Sequence, residues 1–332
     1  MKVGIDVSPL ALTRAGTARY LTNLLTALED EPEVEVRRYS FGGSSRAAKI
    51  ARDTAWYLGA LPRHALRDRL DVLHCPGMRA PVRSSVPLVV TIHDVAVLRE
   101  PGSFNRWTRG YSRRTLPRIA RAARRIVVGS EFSKSEVVEL LRIADDKVEV
   151  VPYGVGLPFT AEGPAAEGEY ALTVSTLEPR KNLRRLAGAF ERAGLDEHEL
   201  RIVGARGWGG VRVGGDRVRW LGEVSDDELA RLYRGAACVA YVSLYEGFGL
   251  PVLEAMACGA PVVCPGRPPF SEFADGVAVA VDPLDEDSIA AGLCEAVGRR
   301  EELAALGPAR AARFGWRRAG REHVRVYREA AL

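Results

Sequence analysis

Lysine is almost missing from this chain: five residues against 42 arginines. Arginine is the default cation, so Lys181, the single lysine beyond residue 150, marks a departure from that default. Cysteine is scarce as well, with five residues at positions 75, 238, 258, 264 and 294. No Cys-x-x-Cys pair occurs and the number is odd, which speaks against a disulfide framework or a zinc site and for a reducing cytoplasm. No stretch approaches the roughly 20 apolar residues that span a bilayer. The opening MKVGIDVSPL lacks a signal peptide's apolar run and reads as a first strand entering a loop. No Gly-x-Gly-x-x-Gly follows that strand, and the glycines at 204–210 have the wrong spacing, so a hydride-transfer enzyme loses its main support.

What is present fits a soluble globular protein: 332 residues, 47% hydrophobic and 27% charged. That length predicts two domains. Charge is uneven, with 25 basic and 17 acidic groups in residues 1–150, a balance of +8, and −4 in the remainder. Much of the excess lies in residues 99–125, with nine Arg and one Glu. Such a stretch attracts phosphates or an anionic membrane surface, or is simply the solvated face of an Arg-rich helix.

Strand-length apolar runs alternate with helical patterns throughout. VGIDV (3–7), DVLHC (71–75), PLVVTIH (87–93), RIVVGS (125–130) and VEVVPYG (148–154) read as buried parallel strands. Helices are expected at 17–29 and 133–143, the second with Ser133 as N-cap and Glu136 completing a capping box. Residues 154–169, rich in Gly, Pro and small residues, carry the linker signal. Strands follow at 170–176, 199–204, 218–222, 238–243, 260–265 and 277–283, with helices near 182–193, 226–235, 251–257, 285–298 and 317–330. Two βαβ series predict an α/β protein of two Rossmann-like, doubly wound domains facing a cleft. The expected boundaries are 1–155, 156–312, and a helix in 313–332 returning to the first domain.

The densest chemical signal is LYEGFGLPVLEAMACGAPVVC, residues 244–264. A strand delivers Glu246 to a loop, Gly247 and Gly249 permit a tight turn, and Pro251 suits the first turn of a helix. Backbone N–H groups of Phe248, Gly249 and Leu250 would then face a diphosphate at a helix start. Glu254, one turn in, could accept hydrogen bonds from two ribose hydroxyls, while Glu246 would sit nearer the transferred sugar. The ordinary alternative is a capped helix with two solvent-facing glutamates.

The string EGFGLPVLEAMACGAPVV resembles the signature of the retaining GT-B glycosyltransferases of group 1 type, whose two glutamates are separated by seven residues. Resemblance in EPRKN and TIHDVAVL leans toward mannosyltransferases that use GDP-mannose, although UDP- and dTDP-sugar enzymes share these strings. VTIHDVAVL (90–98), VGSEFSKSEV (128–137), VSTLEPRKNL (174–183) and IVGARGWGG (202–210) resemble further segments in the same order, and the last helix resembles the family's closing helix. The resemblance implies a GT-B fold, a nucleotide-sugar donor held mainly by the second domain, and an acceptor held mainly by the first. It assigns Arg180 and Lys181 to the departing diphosphate, whose growing negative charge two cations can neutralise. His93, at a strand's carboxyl end, would touch the donor sugar; Asp94 would do so or cap a turn. Gly16 resembles a glycine-rich family turn beside the phosphates, although Ala18 stands where a second Gly is common; Arg19 and Tyr20 only pack or are solvated. Ser130 and Lys134 could reach substrate, or Ser130 only caps a helix. Gly204 and Trp208 would lie near the base pocket, with Trp208 equally a packing residue; Glu223 and Val224 would hold the nucleobase. Ser271 and Glu272 resemble a family segment of uncertain role.

No cofactor and no metal is expected. The acidic string at 285–287 precedes a helix, where the dipole favours carboxylates, and is not read as a metal-binding Asp-x-Asp. The expected activity is front-face hexosyl transfer with retention from a nucleoside diphosphate, GDP-mannose favoured, to a saccharide, lipid-linked or natural-product acceptor. Nucleic acid is not an expected partner. The expected place is the cytoplasm, with peripheral contact to an anionic inner membrane face through 99–125. Three rivals remain: a GT-B nucleotide-sugar epimerase, a nucleotide-binding protein with a vestigial site, and a pyridoxal-dependent phosphorylase, for which the chain is short.

Overall fold

The computed structural model describes residues 1–12, 16–43 and 45–332. The chain forms two compact units, Met1–Gly154 with Trp316–Leu332, and Val155–Gly315.

The first unit is built on strands β1 (Lys2–Asp6), β2 (Glu35–Tyr39), β3 (Val72–Cys75), β4 (Leu88–Thr91), β5 (Arg125–Val128) and β6 (Val148–Val150). They form one sheet in the order β2-β1-β3-β4-β5-β6, every pair parallel. β3 and β4 are buried along their whole length, which is why apolar residues dominate both, with His74 and Thr91 as buried polar exceptions. β2, EVRRY, is the edge strand; its charged, largely exposed residues carry no apolar run, and the sequence reading passed over it. Helix Gly16–Glu29 buries Leu21, Leu24, Leu25 and Leu28, the i, i+3, i+4, i+7 stripe of an amphipathic helix. Residues 46–67, also without a prior assignment, are helical, with a π-helical centre at Arg52–Ala60.

A chain of buried hydrogen bonds ties the last helix, Trp316–Ala331, to this sheet. His323 Nδ1 faces the Ala319 carbonyl at 2.7 Å and must donate to it. Its Nε2 is therefore the acceptor for the Tyr20 hydroxyl, at 2.7 Å. Tyr20 in turn accepts from Thr91 (2.9 Å), and Thr91 accepts from His74 Nε2 (2.8 Å). That leaves His74 Nδ1 to accept from Tyr327, at 2.8 Å. One carbonyl thus sets both tautomers and every donor along the relay. All five side chains are fully buried, and burial lowers the pKa of His74 far below normal and that of His323 to about 4.

The second unit contains β7 (Tyr170–Val174), β8 (Glu199–Val203), β9 (Val218–Gly222), β10 (Cys238–Ala240), β11 (Val262–Pro265) and β12 (Val279–Val281). Their order is β12-β11-β10-β7-β8-β9, again all parallel. The chain winds outward from β7 to β9, then returns to β7's other side with β10, so the topological switch point lies between β7 and β10. Leu186, Phe190, Ile202, Val263, Ile289 and Leu293 form the centre of this core. The segment 154–169 is held against this unit: Arg234 donates to the carbonyls of Thr160 and Pro164 at 3.1 and 2.8 Å.

One predicted cap is corrected. Helix Glu131–Leu141 starts earlier than expected, with Ser130 as N-cap accepting from the Ser133 amide at 3.0 Å. Ser133 is already inside the helix, and Glu136 pairs with the Arg99 guanidinium instead of closing a capping box. The acidic string at 285–287 does begin a helix: Asp285 caps it, accepting from the Asp287 amide at 2.9 Å.

Candidate functional site

In doubly wound sheets ligands bind beyond the strands' carboxyl ends at the switch point. Here that place lies between β7 and β10, and both ends are followed by charged residues. After β7 the chain makes a short 3-10 turn, Pro179–Lys181, ended by Asn182 in the left-handed region (φ 59°). The Asn182 amide nitrogen donates to the carbonyls of Val242 (3.1 Å) and Pro283 (2.6 Å), and the Arg180 carbonyl accepts from the Leu244 amide (2.9 Å). The turn is thereby stitched to the loop after β10.

That stitching brings Glu246 between two cations. Its Oε1 lies 2.6 Å from Lys181 Nζ, and its Oε2 lies 3.1 Å from Arg180 Nη1. Lys181 also donates to the Tyr241 hydroxyl at 2.7 Å, and Arg180 to the Tyr245 carbonyl at 2.6 Å and to Glu178 at 2.7 Å. Burial alone would push the Glu246 carboxyl up, but Arg180 and Lys181 outweigh it and bring its pKa down to about 2. For Lys181, burial lowers the pKa, Glu246 raises it, and the net shift is upward. Burial pushes Glu178 up and Tyr241 to about 12. The centre is therefore an ionised carboxylate with two rigidly held, partly desolvated cations.

Beside it begins helix Leu250–Ala257. Gly249 takes φ 109° at its N-cap, and a Cβ there would stand 2.6 Å from Phe270, so both backbone and space demand glycine. Phe248 turns its ring inward, stacked on Phe273 at 5.2 Å between centroids, which leaves only its backbone for a ligand. Glu254 is 2% exposed rather than solvent-facing, and its Oε2 accepts from the Tyr233 hydroxyl at 3.3 Å. Gly204 follows β8 with φ 144°, and a Cβ on it would collide with the Ser175 carbonyl. Glu223 is exposed and Val224 half-buried on the loop after β9, while Trp208 is exposed. Ser271 and Glu272 lie in a 3-10 turn at Phe270–Glu272.

The first unit holds the remaining predicted residues. His93, two residues beyond β4, bonds the Tyr153 hydroxyl through Nδ1 at 2.8 Å and meets the Tyr20 ring edge-on at 4.9 Å. Burial lowers its pKa to about 4, so it is a neutral imidazole at pH 7. Asp94 accepts from the Ala96 amide at 2.9 Å, the turn cap that was one of its two readings. Lys134 pairs with Asp145 at 2.9 Å, and Ser130 caps its helix. Gly16 opens helix Gly16–Glu29 with nothing within 4 Å of where a Cβ would sit, so space there does not require glycine.

Within the second unit the structure thus joins Arg180, Lys181 and Glu246, and sets Gly249 and Leu250 at a helix start nearby in the chain. It adds Tyr241, Glu178 and Asn182, which the sequence reading missed. Asn182 stands in the quoted VSTLEPRKNL string, whereas Tyr241 gave no signal beyond being an aromatic in a strand. Such a centre can cancel charge building on a leaving phosphate without moving at the moment of reaction. Among the described residues no three His, Cys, Asp or Glu side chains gather as metal ligands, and no helix is long and apolar enough to cross a membrane.

Comparison with known proteins agrees with this architecture. Residues 159–312 match the family model "Glycosyl transferases group 1", and residues 14–157 match "Glycosyltransferase Family 4". The chain is 29% identical to the O-antigen chain mannosyltransferase B of Escherichia coli, covering 99% of this chain and 100% of that one. It is 30% identical to a D-inositol 3-phosphate glycosyltransferase of Saccharomonospora viridis, over 99% of this chain and 89% of that protein. Among solved structures, a sucrose-phosphate synthase from Thermosynechococcus elongatus superposes with a TM-score of 0.78 at 18% identity, covering 99% and 98% of the two chains. With two parallel Rossmann-like units and both family matches in chain order, the protein belongs to the group 1 glycosyltransferases, mannosyltransferase-like members of the GT-B fold, and is an enzyme of sugar transfer.

Proposed function

We propose that this glycosyltransferase moves a hexose, favourably mannose from GDP-mannose, to a saccharide or lipid-linked acceptor, with retention of anomeric configuration and without a metal ion. The observation that carries the reading is the pairing of Arg180 and Lys181 on Glu246 at the switch point of the second sheet. In this role the two cations, already held in place on Glu246, face the diphosphate and take up its charge as the bond from the anomeric carbon to the phosphate oxygen breaks. The helix start at Gly249–Leu250 takes a second share of that charge. Glu246 then meets the sugar, Glu254 the ribose, and Gly204, Glu223 and Val224 the base. Fixed cations supply the electrostatic help that a divalent ion gives elsewhere.

On the acceptor side, His93 is neutral and so suits a hydrogen bond to the donor sugar. The acceptor hydroxyl attacks the anomeric carbon from the leaving group's own face, and its proton passes to the departing phosphate oxygen. Mannose is favoured because the E. coli relative, alike over the full length of both chains, is named a mannosyltransferase. The helix Arg106–Ala122, with Trp107 70% exposed among arginines, suits peripheral contact with an anionic membrane at the cytoplasmic face.

The test is a thermal-shift panel of GDP, UDP, dTDP and ADP with chelator present, followed by NMR of the product anomer. Stabilisation by GDP, lost in Lys181→Ala, and a retained anomer are expected. Inverted product, or a strict need for added metal, overturns the mechanism.

A further inference from the structure

The carboxyl end of β1 is the switch point of the first sheet, since β2 and β3 flank β1 on opposite sides. Asp6 ends this strand and is buried. Its Oδ1 accepts from the Ser8 amide at 3.1 Å and from the Ser8 hydroxyl, and its Oδ2 accepts from Tyr57 at 2.7 Å. Tyr57 belongs to the π-helical segment Arg52–Ala60, a rare geometry that concentrates at functional sites. The first residue of that segment, Arg52, is 3% exposed, and among the described residues its Nε and Nη1 have no hydrogen-bond partner.

The acid beside it does not make good the deficit. Asp53 Oδ1 is 3.9 Å from Arg52 Nε and 2.7 Å from Arg79 Nε, ion-pair distances to both. Neither contact has the geometry of a hydrogen bond, so one carboxylate faces two guanidinium groups and fully satisfies neither. Arg79 also lies over the Tyr111 ring, 5.4 Å from its centroid, and its side chain is 41% exposed. A buried guanidinium with unmade hydrogen bonds is costly, and such orphans in a folded protein call for an explanation. An anion oxygen would pair with one of these donors and answer the charge; Nε and Nη1 lie on opposite sides of the guanidinium plane's axis, so the anion's second oxygen would turn to Arg79.

We propose that Arg52 and Arg79, at the carboxyl end of the first sheet, form a subsite for a carboxylate or phosphate group carried by the sugar acceptor. Arg52 is the floor and Arg79 the open side. The acceptor class is then an acidic sugar, a hexuronate or a sugar phosphate. This deepens the reading of the first unit as the acceptor side and rests on it.

The test uses the full chain saturated with the nucleotide that stabilises it, so that the cations of the second unit are already occupied. Methyl glucoside, methyl glucuronide and glucose 6-phosphate are titrated by ligand-observed NMR. At least one acidic probe is expected to bind about tenfold or more tightly than methyl glucoside, the scale of a charge-assisted hydrogen bond. Which acidic probe binds names the group. In Arg52→Leu and in Arg79→Gln that preference disappears while the nucleotide thermal shift is unchanged. Arg79→Gln, at an exposed position, carries the test where Arg52→Leu fails to fold. Equal binding of all three probes by the wild type, or an intact preference in Arg79→Gln, overturns the proposal. Failure of the transferase reading is seen separately, as absence of any nucleotide shift in the wild type.

Discussion

Two buried polar clusters, one in each unit, answer the same penalty in opposite ways. Around Glu246 a carboxylate stays ionised in a desolvated setting, because Arg180 and Lys181 stand within 3.1 Å and more than offset burial. Along the relay from Tyr327 to His323 burial, offset only in part at His323 by the charge of Glu322, holds both histidines neutral. Desolvation always favours the neutral form; charge survives only where opposite charge is built in beside it. The charged cluster suits chemistry on a phosphate, whereas the neutral relay suits fastening one helix in one register.

The sharpest way to break this comparison is to remove a counter-charge. Lys181→Ala is expected to lower the transfer rate by about a hundredfold or more, the usual scale for one preorganised electrostatic contact. Initial rates with GDP-mannose check it, and an unchanged rate would make the pairing merely structural. Acid should separate the two clusters next. His323 has a pKa of about 4 in the fold against about 6.5 unfolded. Its stabilising effect is complete above about 6.5 and declines as pH falls toward 4, reaching a loss of about 2 kcal/mol at pH 5. His74 and His93 shift in the same direction, while Asp6, pushed up by burial, opposes them. Glu246 loses its contribution only between its ordinary 4.5 and about 2. Hydrogen exchange at pH 5 against pH 7 should therefore show the first unit loosening before the second; equal loosening would refute the contrast.

Smaller effects sharpen it further. Tyr20→Phe removes the donor to His323 and the acceptor for Thr91, at a cost of about 1–3 kcal/mol in urea unfolding. Asp285→Ala removes only a helix cap, at about 1 kcal/mol, with transfer rate and chelator insensitivity unchanged. A rate that falls and is restored by added divalent metal would return the acidic string at 285–287 to the metal-binding reading.

Much of this arrangement was legible before the structure. Buried parallel strands such as Leu88–Thr91 announce themselves as apolar runs because helices cover both faces, and the Gly249–Pro251 string marks its helix start through backbone conformation. The edge strand Glu35–Tyr39 was not legible, since its side chains meet solvent. The cap of helix Glu131–Leu141 was legible only as a choice: three serines in six residues, at 130, 133 and 135, offer several starts, Ser133 and Ser130 were both read as caps, and the structure takes Ser130.

By itself the sequence determined the alternation of elements, the two-unit architecture and the residue types at the Pro179–Lys181 turn, because these depend on local periodicity and on backbone demands within a few positions. Only the tertiary structure decided that Lys181 meets Glu246 across 65 residues, that His323 meets Tyr20 across 303, and that Arg52 is left with unmade hydrogen bonds. Those outcomes depend on which groups folding removes from water together, and distance along the chain carries no record of that.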